Sequence, residues 1–72
     1  MTEDQFKYII ANILERGVEA KAEAEGTADG SFERGRRLAY WEVLDMIKSR
    51  IVICGQDPAD YGLGDDLENA IL

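Results

Sequence analysis

The side chains that could do chemistry are few in this 72-residue chain, and they match no common catalytic set. The absence of histidine excludes a Ser-His-Asp triad, an imidazole general base and any zinc site with a histidine ligand. Cys54 is the only cysteine, so no intramolecular disulfide is possible, and its apolar neighbours predict a packed, structural thiol. No Walker or dinucleotide-binding fingerprint is present. We therefore expect no enzyme activity, no cofactor and no metal.

One acidic pattern has the spacing of a calcium-binding loop. The first, sixth, ninth and twelfth positions of such a loop would be Asp57, Gly62, Asp65 and Glu68. However, Ala59 and Tyr61 fall at the third and fifth positions, where the ion needs oxygen ligands. The acidic residues are therefore better interpreted as helix caps.

A cluster of three arginines is the best candidate for binding chemistry. It consists of Arg34, Arg36 and Arg37. We expect Arg36 to lie beside Tyr40 and to pair with Glu19 or Glu23, which would set the register between two helices. The alternative for this cluster is contact with a phosphate or a nucleic acid.

A first helix is predicted from Glu3 to about Glu25. Thr2 and Gln5 have the spacing of a capping box, and acidic residues follow in the first turn, where the helix dipole favours them. Gly26 suits the end of this helix because glycine readily adopts the left-handed conformation.

A second helix is predicted from about Ser31 to Cys54, with apolar groups on two faces. Its main stripe comprises Phe32, Ala39, Tyr40, Val43, Leu44, Ile47, Ile51 and Cys54. Leu38, Trp41 and Val52 are expected on the opposite side, beside Arg34 and Arg37. These five residues are the predicted interface, with Trp41 as its anchor. The alternatives for Trp41 are burial under the C-terminal segment and stacking on a ligand.

The short connection predicts that the two helices fold back as an antiparallel hairpin. The expected neighbours across it are Phe6 and Ile51, Ile10 and Ile47, Ile13 and Leu44, Gly17 and Tyr40, and Ala24 and Phe32. Gly17 is interpreted as a spacer that admits the Tyr40 ring. We thus predict an all-α protein that assembles into a helical bundle.

Residues 55–72 form an acidic tail with signals for short helical turns. Asp57 and Pro58 suit the start of one turn, and Asp65 and Asp66 suit the start of a last short helix. The tail also carries apolar side chains that could dock across the hairpin: Tyr61, Leu63, Leu67, Ile71 and Leu72. We therefore expect residues 1–72 to form a single helical domain.

The net charge of −7 is unevenly distributed along the chain. Residues 31–54 carry five basic and three acidic residues, whereas residues 55–72 carry five acidic residues and no basic one. An acidic protein repels nucleic acid phosphates and anionic membranes, so neither is an expected partner. The chain lacks a signal-peptide pattern and an apolar run of membrane-spanning length, which predicts a cytoplasmic protein.

Two runs in the second helix support a family resemblance. A Phe-x-x-Gly-Arg run begins at Phe32, and an Ala-Tyr-x-Glu-Val-Leu run begins at Ala39, followed by a tail rich in Gly and Asp. This block resembles the second helix of small uncharacterised bacterial helical-hairpin proteins. The resemblance covers about half the chain and rests on packing residues, so it implies a fold and no activity.

The doubled apolar surface and the poor catalytic inventory together predict a small, non-catalytic interaction or scaffold protein. Such a protein would work as a homodimer or homotetramer, and a further protein partner is left open. The alternative is a regulator that binds a transcription or phage-type protein, with weak nucleic acid contact through Arg34, Arg36 and Arg37.

Overall fold

The computed structural model describes residues 1–64 and 66–72, and it confirms the all-helical prediction. Two long helices, α1 (Glu3–Ala24) and α2 (Phe32–Ile53), pack against each other. They are followed by a 3₁₀ turn (Pro58–Tyr61) and a short helix, α3 (Leu67–Ile71). The described residues contain no strand.

Local capping accounts for where the long helices begin. The Gln5 amide donates to Thr2 Oγ1 at 3.1 Å, and the Thr2 amide donates to Gln5 Oε1 at 2.9 Å, which completes the predicted capping box. At the start of α2, Ser31 Oγ accepts from the Arg34 amide at 3.3 Å. Each cap satisfies amide groups that have no partner within the helix.

The hairpin has the predicted antiparallel register near its centre. A Cβ atom at Gly17 would lie 3.4 Å from Cβ of Tyr40 and 3.6 Å from Cδ1 of Leu44. The predicted stripe is wrong at the loop end, because Phe32 is 79% exposed. Phe32 is the first residue of α2, next to the loop that connects the two helices. Because α1 ends at Ala24, it offers no helical surface on which Phe32 could pack.

The tail begins with a capped turn and ends in a helix. Asp57 accepts from the Ala59 amide at 3.0 Å, Pro58 occupies the first position of the turn, and Gly62 ends it with φ of 78°. At α3, Asp66 is the N-cap residue but makes no side-chain capping bond. The capping role predicted for Asp65 lies outside the described residues.

The tail supplies much of the core. Of the nine apolar residues that are buried in the described part of the chain, five come from the hairpin and four from the tail, namely Tyr61, Leu63, Leu67 and Ile71. Burying a side chain of this size contributes roughly 1.5–3 kcal/mol. Four such residues therefore make the tail an integral part of the fold rather than a removable cover.

Candidate interaction surface

The tail covers one face of the hairpin through contacts with both long helices. Lys21 Nζ donates to the Asn69 carbonyl at 2.6 Å, and Lys48 Nζ donates to the Gly64 carbonyl at 3.2 Å. The Lys7 ammonium lies 5.5 Å from the centre of the Tyr61 ring. These contacts define the side of each helix that faces the tail.

The opposite face of the hairpin is apolar and has no element packed on it among the described residues. On α1, Leu14 lines a groove together with Leu67 of the tail, so it lies on the tail side, as Lys48 does on α2. Ile9 lies five residues from Leu14 and Val43 lies five residues from Lys48, so each lies about 140° around its helix from the tail side. We call this surface the tail-free face; it comprises Ile9, Ile13, Tyr40, Val43, Met46 and Ile47. Ile9, Val43 and Met46 are 42%, 41% and 59% exposed, and the other three residues are half-buried.

Two grooves run along this side of the molecule. One, of about 300 Å³, lies between the helices and is lined by Ile13, Arg36, Ala39, Tyr40 and Val43. The other, of about 510 Å³, lies where α1 begins and α2 ends, at the border between this face and the tail. Its lining combines helix residues such as Met46, Ile47 and Arg50 with Gln56 and Tyr61 of the tail. The grooves are mainly apolar, with arginine side chains in their walls.

Arg36 joins the two helices at the edge of the tail-free face. Its guanidinium donates to Oε2 of Glu23, one of the two acidic partners expected for it. The same guanidinium lies 5.5 Å from the centre of the Tyr40 ring. Both charged side chains keep solvent contact, with 26% of Arg36 and 58% of Glu23 exposed, so each can accept a further partner.

The other two arginines of the cluster lie elsewhere. Arg34 Nε donates to the Thr27 carbonyl at 2.8 Å, and its guanidinium lies 3.5 Å from Asp29, so it holds the connection between the helices. Arg37 is half-buried, and its Nε atom has no hydrogen-bond partner among the described residues. Helical geometry places Arg36 about 160° from Arg34, so the three arginines do not share one surface.

The predicted exposed anchor, Trp41, packs against the core instead. It is half-buried against the cluster that contains the four buried tail residues, and its Nε1 atom is buried with no partner among the described residues. Trp41 lies about 60° from the fully buried Leu44, on the side where the tail docks, so its expected exposure is wrong. Leu38 and Val52 are 46% and 57% exposed, and their role in an interface stays a prediction.

The packed thiol expected at Cys54 is also wrong, because Cys54 is exposed. The residue is the C-cap of α2, beyond the part of the helix that faces α1. In the described part of the chain, no group of three or more Cys, Asp or Glu residues could hold a metal ion. Asp57 caps the 3₁₀ turn, whereas Asp65 of the calcium-like pattern lies outside the described residues.

Comparison with protein-family models, with curated proteins and with solved structures finds no match to this chain. The resemblance to bacterial hairpin proteins therefore stays a prediction. Among the described residues, no helix is both long enough and apolar enough to cross a lipid bilayer.

The sequence pattern does not identify the tail-free face as a separate surface. The predicted main stripe of α2 contains Tyr40, Val43 and Ile47 as residues that contact α1, and it does not contain Met46. The missed signal is the width of the apolar arc, which extends from Leu44 through Val43 to Met46 and is wider than one neighbouring helix covers.

Proposed function

We propose that this chain is a small, non-catalytic interaction or scaffold protein that works as an assembly of copies. The observation that carries the proposal is the one-sided cover of the hairpin. The tail buries one face, and the tail-free face leaves Ile9, Val43 and Met46 in contact with solvent. Single exposed apolar residues are ordinary, but several apolar residues exposed along the same side of a hairpin support an interaction surface.

The chemistry of the chain supports an interaction role over catalysis. The sequence has no histidine, and the one thiol lies at a helix end. Arginines flank the apolar patch, and arginine beside apolar residues is a common composition for protein interfaces. An exposed thiol such as Cys54 persists in a reducing compartment, so we place the protein in the cytoplasm.

Sedimentation velocity of the full chain tests the proposal. We expect a species larger than the monomer at micromolar concentration, with the same helical circular dichroism spectrum across the dilution series. A folded protein that stays monomeric up to the highest soluble concentration would overturn the proposal. Light scattering on the same samples gives the mass independently of molecular shape.

A further inference from the structure

Near the loop, the two edges of the tail-free face carry opposite charges at the same level. Near the loop, α1 contributes Glu23 and α2 contributes Arg36, and the two already meet within the chain. Farther from the loop, the α2 edge carries a second cation, Arg50, which lines the larger groove. At the loop end of this face, the α2 edge is therefore basic and the α1 edge is acidic.

The apolar residues of the face also match level by level. Because Gly17 lies beside Tyr40 in the antiparallel hairpin, Ile13 lies near the level of Val43, and Ile9 lies near the level of Met46. Each helix thus offers an apolar group where the other helix offers one. A surface with this property is complementary to a copy of itself when the two helices exchange places.

We infer that a second copy of this chain covers the tail-free face, related by a two-fold axis parallel to the hairpin. The inference rests on the proposed function and names the surface used for assembly. In this arrangement α1 of each copy lies on α2 of the other. Glu23 then meets Arg36 of the second copy, and the two in-chain pairs become a ring of four alternating charges.

The reversed arrangement fits the charges less well. If the two-fold axis lay in the interface but ran perpendicular to the helices, α2 would lie on α2 of the other copy. The edge that carries Arg36 and Arg50 would then face the basic edge of the second copy. Like charges placed together across an interface cost binding free energy. The parallel axis avoids this repulsion and yields a closed four-helix bundle with a tail on each outer side.

A matched pair of variants tests the surface. Val43 and Leu38 lie on different sides of α2 with similar exposures of 41% and 46%, so a glutamate at either site has a similar effect on the monomer. We expect Val43→Glu to raise the dissociation constant at least about 30-fold, as for an interface hot spot, with helicity retained. Leu38 lies on the surface of α2 predicted from the sequence as an interface, so it tests the competing surface, and we expect Leu38→Glu to sediment like the unmodified protein.

The outcomes separate this inference from the proposed function. If Leu38→Glu dissociates the assembly and Val43→Glu does not, another surface holds the copies together, and only the inference is overturned. If the unmodified chain is a monomer at every concentration, both proposals are overturned.

Mixing two charge-reversed variants tests the arrangement. The two variants are Glu23→Lys and Arg36→Glu. In a dimer of either variant alone, positions 23 and 36 carry like charges, both within each chain and between the two copies. When mixed, each in-chain clash remains, but both contacts between the copies become attractive. We expect the mixture to associate at least about tenfold more tightly than either variant alone. Equal association of the mixture and the separate variants would overturn the parallel axis.

Discussion

Cδ1 of Ile71 lies 2.6 Å from the position that a Cβ atom at Gly17 would occupy. The last helix therefore docks where α1 has no side chain. The missing side chain at Gly17 makes room for Ile71 more than for Tyr40, whose Cβ lies 3.4 Å from the same position. The glycine that suggested a spacer for α2 thus also fixes the place of the tail.

Gly17→Ala should lower the free energy of unfolding. The added methyl group must displace the terminal Cδ1 atom of Ile71. Because Ile71 is fully buried, its side chain has little space to move into, and overpacking of this kind costs about 1–3 kcal/mol. The gain in helix propensity offsets up to about 1 kcal/mol of that cost. Urea denaturation followed by circular dichroism measures the difference.

Two further variants serve as controls for Gly17→Ala. Gly35 also lies within a helix but has nothing within 4 Å of its Cβ position, so Gly35→Ala should stabilise the protein by up to about 1 kcal/mol. Ile71→Val removes the clashing atom, and it should restore stability when combined with Gly17→Ala. Additive losses in that double variant would show that the two residues do not compete for space.

Leu63→Ala should destabilise the whole protein and not the tail alone. Leu63 is fully buried, and removing a buried leucine side chain costs about 2–5 kcal/mol. Because the tail shares its core with the hairpin, helicity should be lost in one cooperative transition. Leu72 is 44% exposed, so Leu72→Ala is the matched control and should change stability little. A tail that melts before the long helices would contradict an integral role.

The fluorescence of Trp41, the only tryptophan, should be blue-shifted and independent of protein concentration. Its indole packs against the core of its own chain, so the shielding does not require a second copy. Emission spectra recorded over a dilution series measure this directly. A shift to longer wavelength on dilution would show that Trp41 is shielded by another copy, as the sequence analysis expected.

The helices were predictable because their signals are local. The box formed by Thr2 and Gln5, the cap at Ser31 and the turn at Pro58 each depend on residues a few positions apart, and all three were found. The hairpin register near Gly17 followed from matching small residues with large ones. Such features need no knowledge of the rest of the fold.

The use of each helix face was harder to predict because it depends on where the tail docks. Trp41 and Val43 are two residues apart and both apolar, yet the tail packs near one and leaves the other exposed. Helical periodicity shows that α2 has two apolar sides, but it does not show which side is covered. Phe32 differs for another reason, since it begins α2 where α1 offers no surface.

The order in which the chain folds follows from the separation of the groups that meet. Glu23 and Arg36 are 13 residues apart in sequence, whereas Lys21 and Asn69, which join α1 to the tail, are 48 apart. The longer loop costs about 1 kcal/mol more in closure entropy, so we expect the contacts between the tail and α1 to form after the hairpin. A hairpin without its docked tail would expose two apolar faces, so we expect the chain to be most prone to aggregate before the tail is in place.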